Sequence, residues 1–187
     1  MDFDTDLEAL WKALEQEVKA GRVKSLGLSN FNSVQVQRIM KIAEIPPAAN
    51  QVEIHLYFQQ RPLVELCQKL GIAMVSYGSV GGPHTGGGKT MTLLKDPIVL
   101  EIAKKYGKTP GQIVLKALVQ RDIIVIPKSI TPERIKSNID IFNFQLTDED
   151  LQKLAKLDKG KSGRFYDFKT DFKGCLKHKE YPFHIDF

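Results

Sequence analysis

The sequence predicts an α/β protein in which parallel strands alternate with helices that cross over between them. Two observations carry that expectation. Amphipathic helical stretches and short β-branched runs follow one another in regular alternation, the order that right-handed β-α-β units impose. The run "IAMVSY" is continuously apolar, as a strand buried on both faces would be. With 187 residues, 42% of them hydrophobic and 26% charged, the chain can bury the core of one ordinary domain.

Each element has its own local reason. In "LEALWKALEQEVKA", residues 7–20, Leu7, Leu10, Trp11, Leu14 and Val18 fall at helical spacing, and Gly21 follows as a terminator. "KSLGLS" reads as a short strand, "NSVQVQRIMKIAE" as a helix begun by Asn32 or Ser33, and "ANQVEIH" as a strand. In "RPLVELCQKLG", Pro62 suits the first helical turn and Gly71 the end, and "IAMVSY" comes next. A glycine-rich loop at 78–92 precedes helical patterns at 96–106 and 109–121, the strand "IIVIP", a helix from Thr131, and "TDEDLQKLAKLD" with a capping-box start. The last stretch, with seven aromatic residues after Gly163, reads as an irregular tail packed against the rest. Only four strands are visible and the chain starts on a helix, so open sheet edges or a partner are expected.

Bulk properties narrow the function. No run reaches the roughly 18 apolar residues of a membrane span, and the start "MDFDTDLEAL" lacks the basic and apolar regions of a signal peptide. Two cysteines, Cys67 and Cys175, form no disulfide framework, so free thiols in a reducing, cytoplasmic compartment are expected. The net charge of +5 permits an anionic partner. Its lysines alternate with acids along helices instead of forming a basic face with interleaved aromatics, which disfavours nucleic acid and leaves room for a phosphorylated small molecule.

Several motifs lead nowhere. "GGPHTGGGKT" ends like a phosphate-binding loop at Gly88, Lys89 and Thr90, but Pro83 stands where the first glycine is needed. His55, His84, His178 and His184 have no metal-ligand spacing, and "GLSNFN" lacks the glycine that a nucleophile elbow requires after its serine.

The stretch "IIVIPKSITPERIKSN" is more informative. It is a strand that leads into a helix start, where free backbone N–H groups favour an anion. Lys128 and Arg134 add full charges and Ser129 and Thr131 add donors, a set suited to a phosphate; the bland alternative is a basic, well-capped surface helix. Other strands end on Ser29 and Asn30, carry Gln51, or end on Tyr77. Together they suit a ligand with an amide at one end, a flat ring to stack, and a phosphate at the other.

The segments "GRVKSLGLSNFN", "ANQVEIH", "VSYGSVG", "VIPKSITPERIKSN" and "KEYPFHIDF", in this order, resemble the aldo-keto reductases along essentially the whole chain. The resemblance implies the C-terminal half of a (β/α)8 TIM barrel, about four β/α units plus the carboxyl-terminal loop. Residues 1–187 would then form a partial NADPH-dependent oxidoreductase domain that lacks the N-terminal half of the barrel. It further implies that Ser29, Asn30 and Gln51 hold the nicotinamide carboxamide and that Tyr77 stacks on the nicotinamide ring. Lys128, Ser129, Thr131 and Arg134 would surround the 2′-phosphate, with Asn138 near the adenine. Arg164, Phe165 and Tyr166 would line the pocket for a small-molecule aldehyde or ketone.

There are departures from the family's pattern. Gly78 and Ser79 replace a common serine-proline pair after the stacking tyrosine, His84 replaces an aspartate that fastens a loop over the cofactor, and Ser137 replaces a glutamate or glutamine near the adenine. The family's catalytic aspartate, tyrosine, lysine and histidine come from the first four β/α units, so no catalytic residue is assignable here. The expectation is a fragment inactive alone; the rival is a non-catalytic NADPH-binding or self-assembling half-barrel.

Overall fold

The computed structural model describes residues 4–81, 93–169 and 172–185. The strands form one four-stranded sheet in the order β1-β2-β3-β4, which is sequence order: β1 (Gly27–Ser29), β2 (Ala49–Glu53), β3 (Ala73–Tyr77) and β4 (Ile123–Val125). β1 and β2 are parallel, with Gly27, Leu28 and Ser29 opposite Ala49, Asn50 and Gln51. The chain divides into two compact units, one of Met1–Val52, Gln60–Met74 and Asp167–Phe187, the other of Glu53–Gln59 and Val75–Tyr166.

In the first unit, α1 (Leu7–Lys19) is started by Asp6, whose carboxylate accepts the Glu8 and Ala9 N–H groups. It buries Trp11 and, one turn on, Glu15. The Glu15 carboxylate is tolerated inside because it accepts the N–H groups of Glu44 at 2.7 Å and Ile45 at 3.0 Å. Asn32 and Gln35 form a reciprocal capping box at the start of α2 (Ser33–Ile42), which buries Val36 and Ile39. α3 (Arg61–Lys69), with Pro62 in its first turn, buries Leu63, Val64 and Cys67. The expected packing of the tail is found on α2. Asn32 donates to the Pro182 carbonyl, Gln35 to that of Glu180, and Arg38 pairs with the Glu180 carboxylate at 3.0 Å. Cys67 and Cys175 are free, as expected, and both are buried.

The second unit holds α4 (Pro97–Tyr106), α5 (Pro110–Val119), α6 (Pro132–Ile139) and α7 (Asp148–Ala155). Its core joins Leu56 and Tyr57 to Leu93, Val99, Ile102, Ile113, Val114, Leu146 and Leu154. Thr109 with Gln112 and Thr147 with Asp150 form the capping boxes of α5 and α7, the latter as its sequence predicts.

Two expectations need correction. "IAMVSY" is not buried on both faces, since Ala73 is exposed while Met74 and Ser76 are buried. "IIVIP" is shorter than expected and half-open: Ile123 is buried, but Ile124 and Ile126 are about half exposed. β4 is the last strand in the sheet, so its apolar residues meet no covering strand. The phosphate-loop reading of Gly88, Lys89 and Thr90, and the substitution at His84, lie outside the described residues.

Candidate functional site

In the first unit, strand pairing alone brings three predicted residues together. Ser29 lies opposite Gln51, its hydroxyl donating to the Gln51 carbonyl at 3.1 Å. The next residue, Asn30, donates its backbone N–H to that carbonyl at 2.9 Å and takes a left-handed backbone with φ of 59°. Asparagine is one of the few non-glycine residues at ease there, and the turn ends β1 as soon as Ser29 is placed. With its proton engaged, the Ser29 hydroxyl presents lone pairs.

In the second unit, Tyr77 ends β3 and Gly78 follows with φ of 62°. Burial, and after it the charge of Glu53, pushes the Tyr77 phenol far above its ordinary value. It therefore stays a neutral ring near neutral pH, suited to stacking and poor at giving up a proton. Ser79 is buried and engaged with Ser76, donating to its carbonyl at 2.9 Å and accepting from its hydroxyl at 2.8 Å. Buried and engaged in this way, it presents no hydroxyl to solvent.

The β4–α6 junction carries the remaining predicted residues. Lys128 and Arg134 are exposed, and among the described residues neither is paired with a carboxylate. The Ser129 hydroxyl accepts the Thr131 N–H at 3.1 Å, which fixes the turn. Thr131 is the N-cap of α6, yet its side chain makes no capping bond, whereas α1, α2, α4, α5 and α7 are all capped by theirs. Of the alternative reading, the good cap is missing, while the basic, exposed surface helix is present. Among the described residues, the first N–H groups of α6 have no side-chain cap and stand near two cations that pair with no carboxylate. Glu133 stands in the same turn and offsets part of that field. The Ser137 hydroxyl donates to the Arg134 carbonyl within the helix, and Asn138 is half-buried.

Arg164, Phe165 and Tyr166 also lie in the second unit. The Tyr166 ring meets Tyr77 edge-on at 5.5 Å, Phe165 meets His55 at 5.6 Å, and the Arg164 guanidinium lies 4.4 Å from the centre of the Phe58 ring. Sequence reasoning passed over Glu53 and weighed His55 only as a metal ligand; the two are fully buried and joined at 3.0 Å. The available signal was an acid inside the β-forming run "ANQVEIH".

The sequence profile of the Aldo/keto reductase family matches residues 1–159. The chain belongs to the aldo/keto reductase family. It is 42% identical to aldo-keto reductase family 1 member D1 of Mus musculus over 188 residues, covering 98% of this chain and 56% of that protein. It is also 42% identical to aldo-keto reductase family 1 member A1 of Xenopus tropicalis over 157 residues, covering 83% and 48%. Among solved structures, the aldose reductase of Schistosoma japonicum superposes with a TM-score of 0.87 at 38% identity, covering 98% of this chain and 56% of that one. The fold is thus that of part of a (β/α) barrel, and the chain spans about half the length of the reductases it matches.

Proposed function

We propose that this chain is the cofactor-holding half of an NADPH-dependent carbonyl reductase, a cytoplasmic type of protein acting on small aldehydes and ketones. The observation that carries the reading is the start of α6, where among the described residues Lys128 and Arg134 pair with no carboxylate and the helix N-terminus lacks a side-chain cap. Both cations would face the 2′-phosphate, with Ser129 and Thr131 supplying hydroxyls and Asn138 the adenine contact. NADH has no group at that place, so the preference is for NADPH.

Ser29, Asn30 and Gln51 would hold the carboxamide and fix which face of the nicotinamide is presented, while Tyr77 would stack on its ring. NADPH supplies a hydride to the carbonyl carbon in such reductases. Arg164, Phe165 and Tyr166 would shape the apolar wall against which the carbonyl compound lies and keep water from it. The carbonyl oxygen must gain a proton, and no residue here is assigned to give it: Tyr77 is a stacking ring with a raised phenol value, and Lys128 belongs to the phosphate set. The 187-residue chain therefore binds NADPH but reduces no aldehyde by itself. The test is to titrate the purified chain with NADPH and assay it with an aldehyde. Tight binding without turnover supports the reading; turnover at the rate of ordinary reductases overturns it.

A second reading, self-association, is favoured by an apolar groove of about 520 Å³ in the second unit, lined by Ile123, Ile124, Val125, Ile135, Ile139 and Phe142 among others. Ile139 and Phe142 are about 70% exposed and β4 is an edge strand. A second copy would cover this face and satisfy the open edge.

A further inference from the structure

Glu53 closes β2 with no exposure to solvent. A carboxylate so placed is costly unless both oxygens are hydrogen-bonded, and here they are. One oxygen accepts the Phe165 N–H at 2.7 Å and lies 3.0 Å from His55 Nε2; the other accepts the Tyr166 N–H at 3.0 Å. With its proton on Nε2, His55 donates to this carboxylate. Two of the three donors come from backbone more than a hundred residues further along the chain.

The same segment is constrained just upstream. A Cβ on Gly163 would lie 1.9 Å from the Tyr57 carbonyl oxygen, so no other residue fits unless the backbone shifts. Opposite the segment, a Cβ on Gly78 would stand 3.3 Å from the Tyr166 ring. Glycine at 78 thus leaves room for that ring beside Tyr77, 5.5 Å away and nearly perpendicular.

We propose that Glu53 is a positioning residue: its carboxylate latches the backbone of Phe165 and Tyr166, and so sets the substrate-facing rings against His55 and Tyr77. The meaning of that placement rests on Tyr77 being the nicotinamide-stacking ring, but the latch does not. Gln in place of Glu53 offers one acceptor oxygen where two now serve three donors. The two backbone N–H groups then lose a charge-assisted partner and the rings lose their fixed setting.

The experiment is residue-resolved hydrogen exchange and NMR on the 187-residue chain and on E53Q. In the wild type, the Phe165 and Tyr166 amides exchange slowly. In E53Q they speed up by about tenfold or more while Ile113 and Leu118 in α5 change by less than about twofold, and the Tyr77 and Tyr166 ring resonances shift. Wild-type amides at 165 and 166 exchanging as fast as that of Gly160, or unchanged protection in folded E53Q, would overturn the latch. If E53Q also loses α5 protection, Tyr166→Ala carries the test. It must move the Tyr77 ring signals yet leave the Phe165 amide slow, and a freed Phe165 amide overturns the proposal because the side chain would then be the anchor. Titration with 2′,5′-ADP probes the phosphate clamp separately, with affinities expected to agree within about twofold between the two proteins. Failure of that ligand to bind either protein counts against the NADPH reading alone.

Discussion

α5 and α6 precede and follow the same strand, β4, but they have opposite surroundings. α5 buries seven of its ten residues, Gln112 to Leu118, while α6 buries none of its eight. Both are amphipathic and both start with proline in the first turn. Neither helix propensity nor capping accounts for the contrast, because the α5 cap is only one hydrogen-bonded box. The difference is in what the sheet and neighbouring helices supply: α5 packs between α4, β4 and α6, whereas α6 follows the edge strand. The packed side holds the buried residues; the open side carries the apolar groove and two cations that, among the described residues, pair with no carboxylate.

Four sets of substitutions test that contrast, in falling order of effect. Leu115→Ala, at a fully buried site, should cost about 2–5 kcal/mol in urea unfolding, while Ile139→Ala on α6 should cost less than about 0.5 kcal/mol. Equal costs would mean that α6 is packed after all. Replacing Lys128 and Arg134 together by alanine should weaken NADPH binding by about 2–3 kcal/mol, roughly 30- to 150-fold, and leave NADH binding and the melting temperature nearly unchanged, as fluorescence titration and circular dichroism would show.

The third change tests the packed side through pH. Burial of Asp150 opposes its charge, but donors from Lys105, Tyr106 and Thr147 outweigh burial and hold the carboxyl well below its ordinary value. A depressed carboxyl stabilises the fold fully above its unfolded value of about 3.9, and that contribution is lost as pH falls through the folded value. Asp150→Asn should therefore cost about 1–3 kcal/mol near neutrality and flatten the acid limb of the stability curve below about pH 4. An unchanged acid limb in the variant would show that the network contributes nothing. The fourth and smallest effect on stability is Ile139→Glu with Phe142→Glu, within about 0.5 kcal/mol of wild type. Size-exclusion chromatography should show less self-association; an unaltered profile would remove the groove from any role in association.

Much of this was legible in the sequence for physical reasons. The helix starts at Asp6, Asn32, Thr109 and Thr147 carry their own signals, since a cap is a local hydrogen-bonding device. Pairing of Ser29 with Gln51 follows once two short strands are parallel neighbours. The half-open setting of "IIVIP" was not legible, because a run of β-branched residues looks the same in a central strand and in an edge strand; exposure depends on the neighbour. The Glu53 latch was illegible for a related reason. Its partners are backbone N–H groups more than a hundred residues away, and backbone groups leave no mark on side-chain identity.

The α6 start is the region on which the functional account stands or falls. The most direct measurement is the ratio of NADPH to NADH affinity of the purified 187-residue chain at moderate ionic strength. A preference for NADPH of about tenfold or more, removed when Lys128 and Arg134 are both alanine, is the result this account predicts. Equal affinity for the two nucleotides, or an NADPH preference that survives the double substitution, would contradict it.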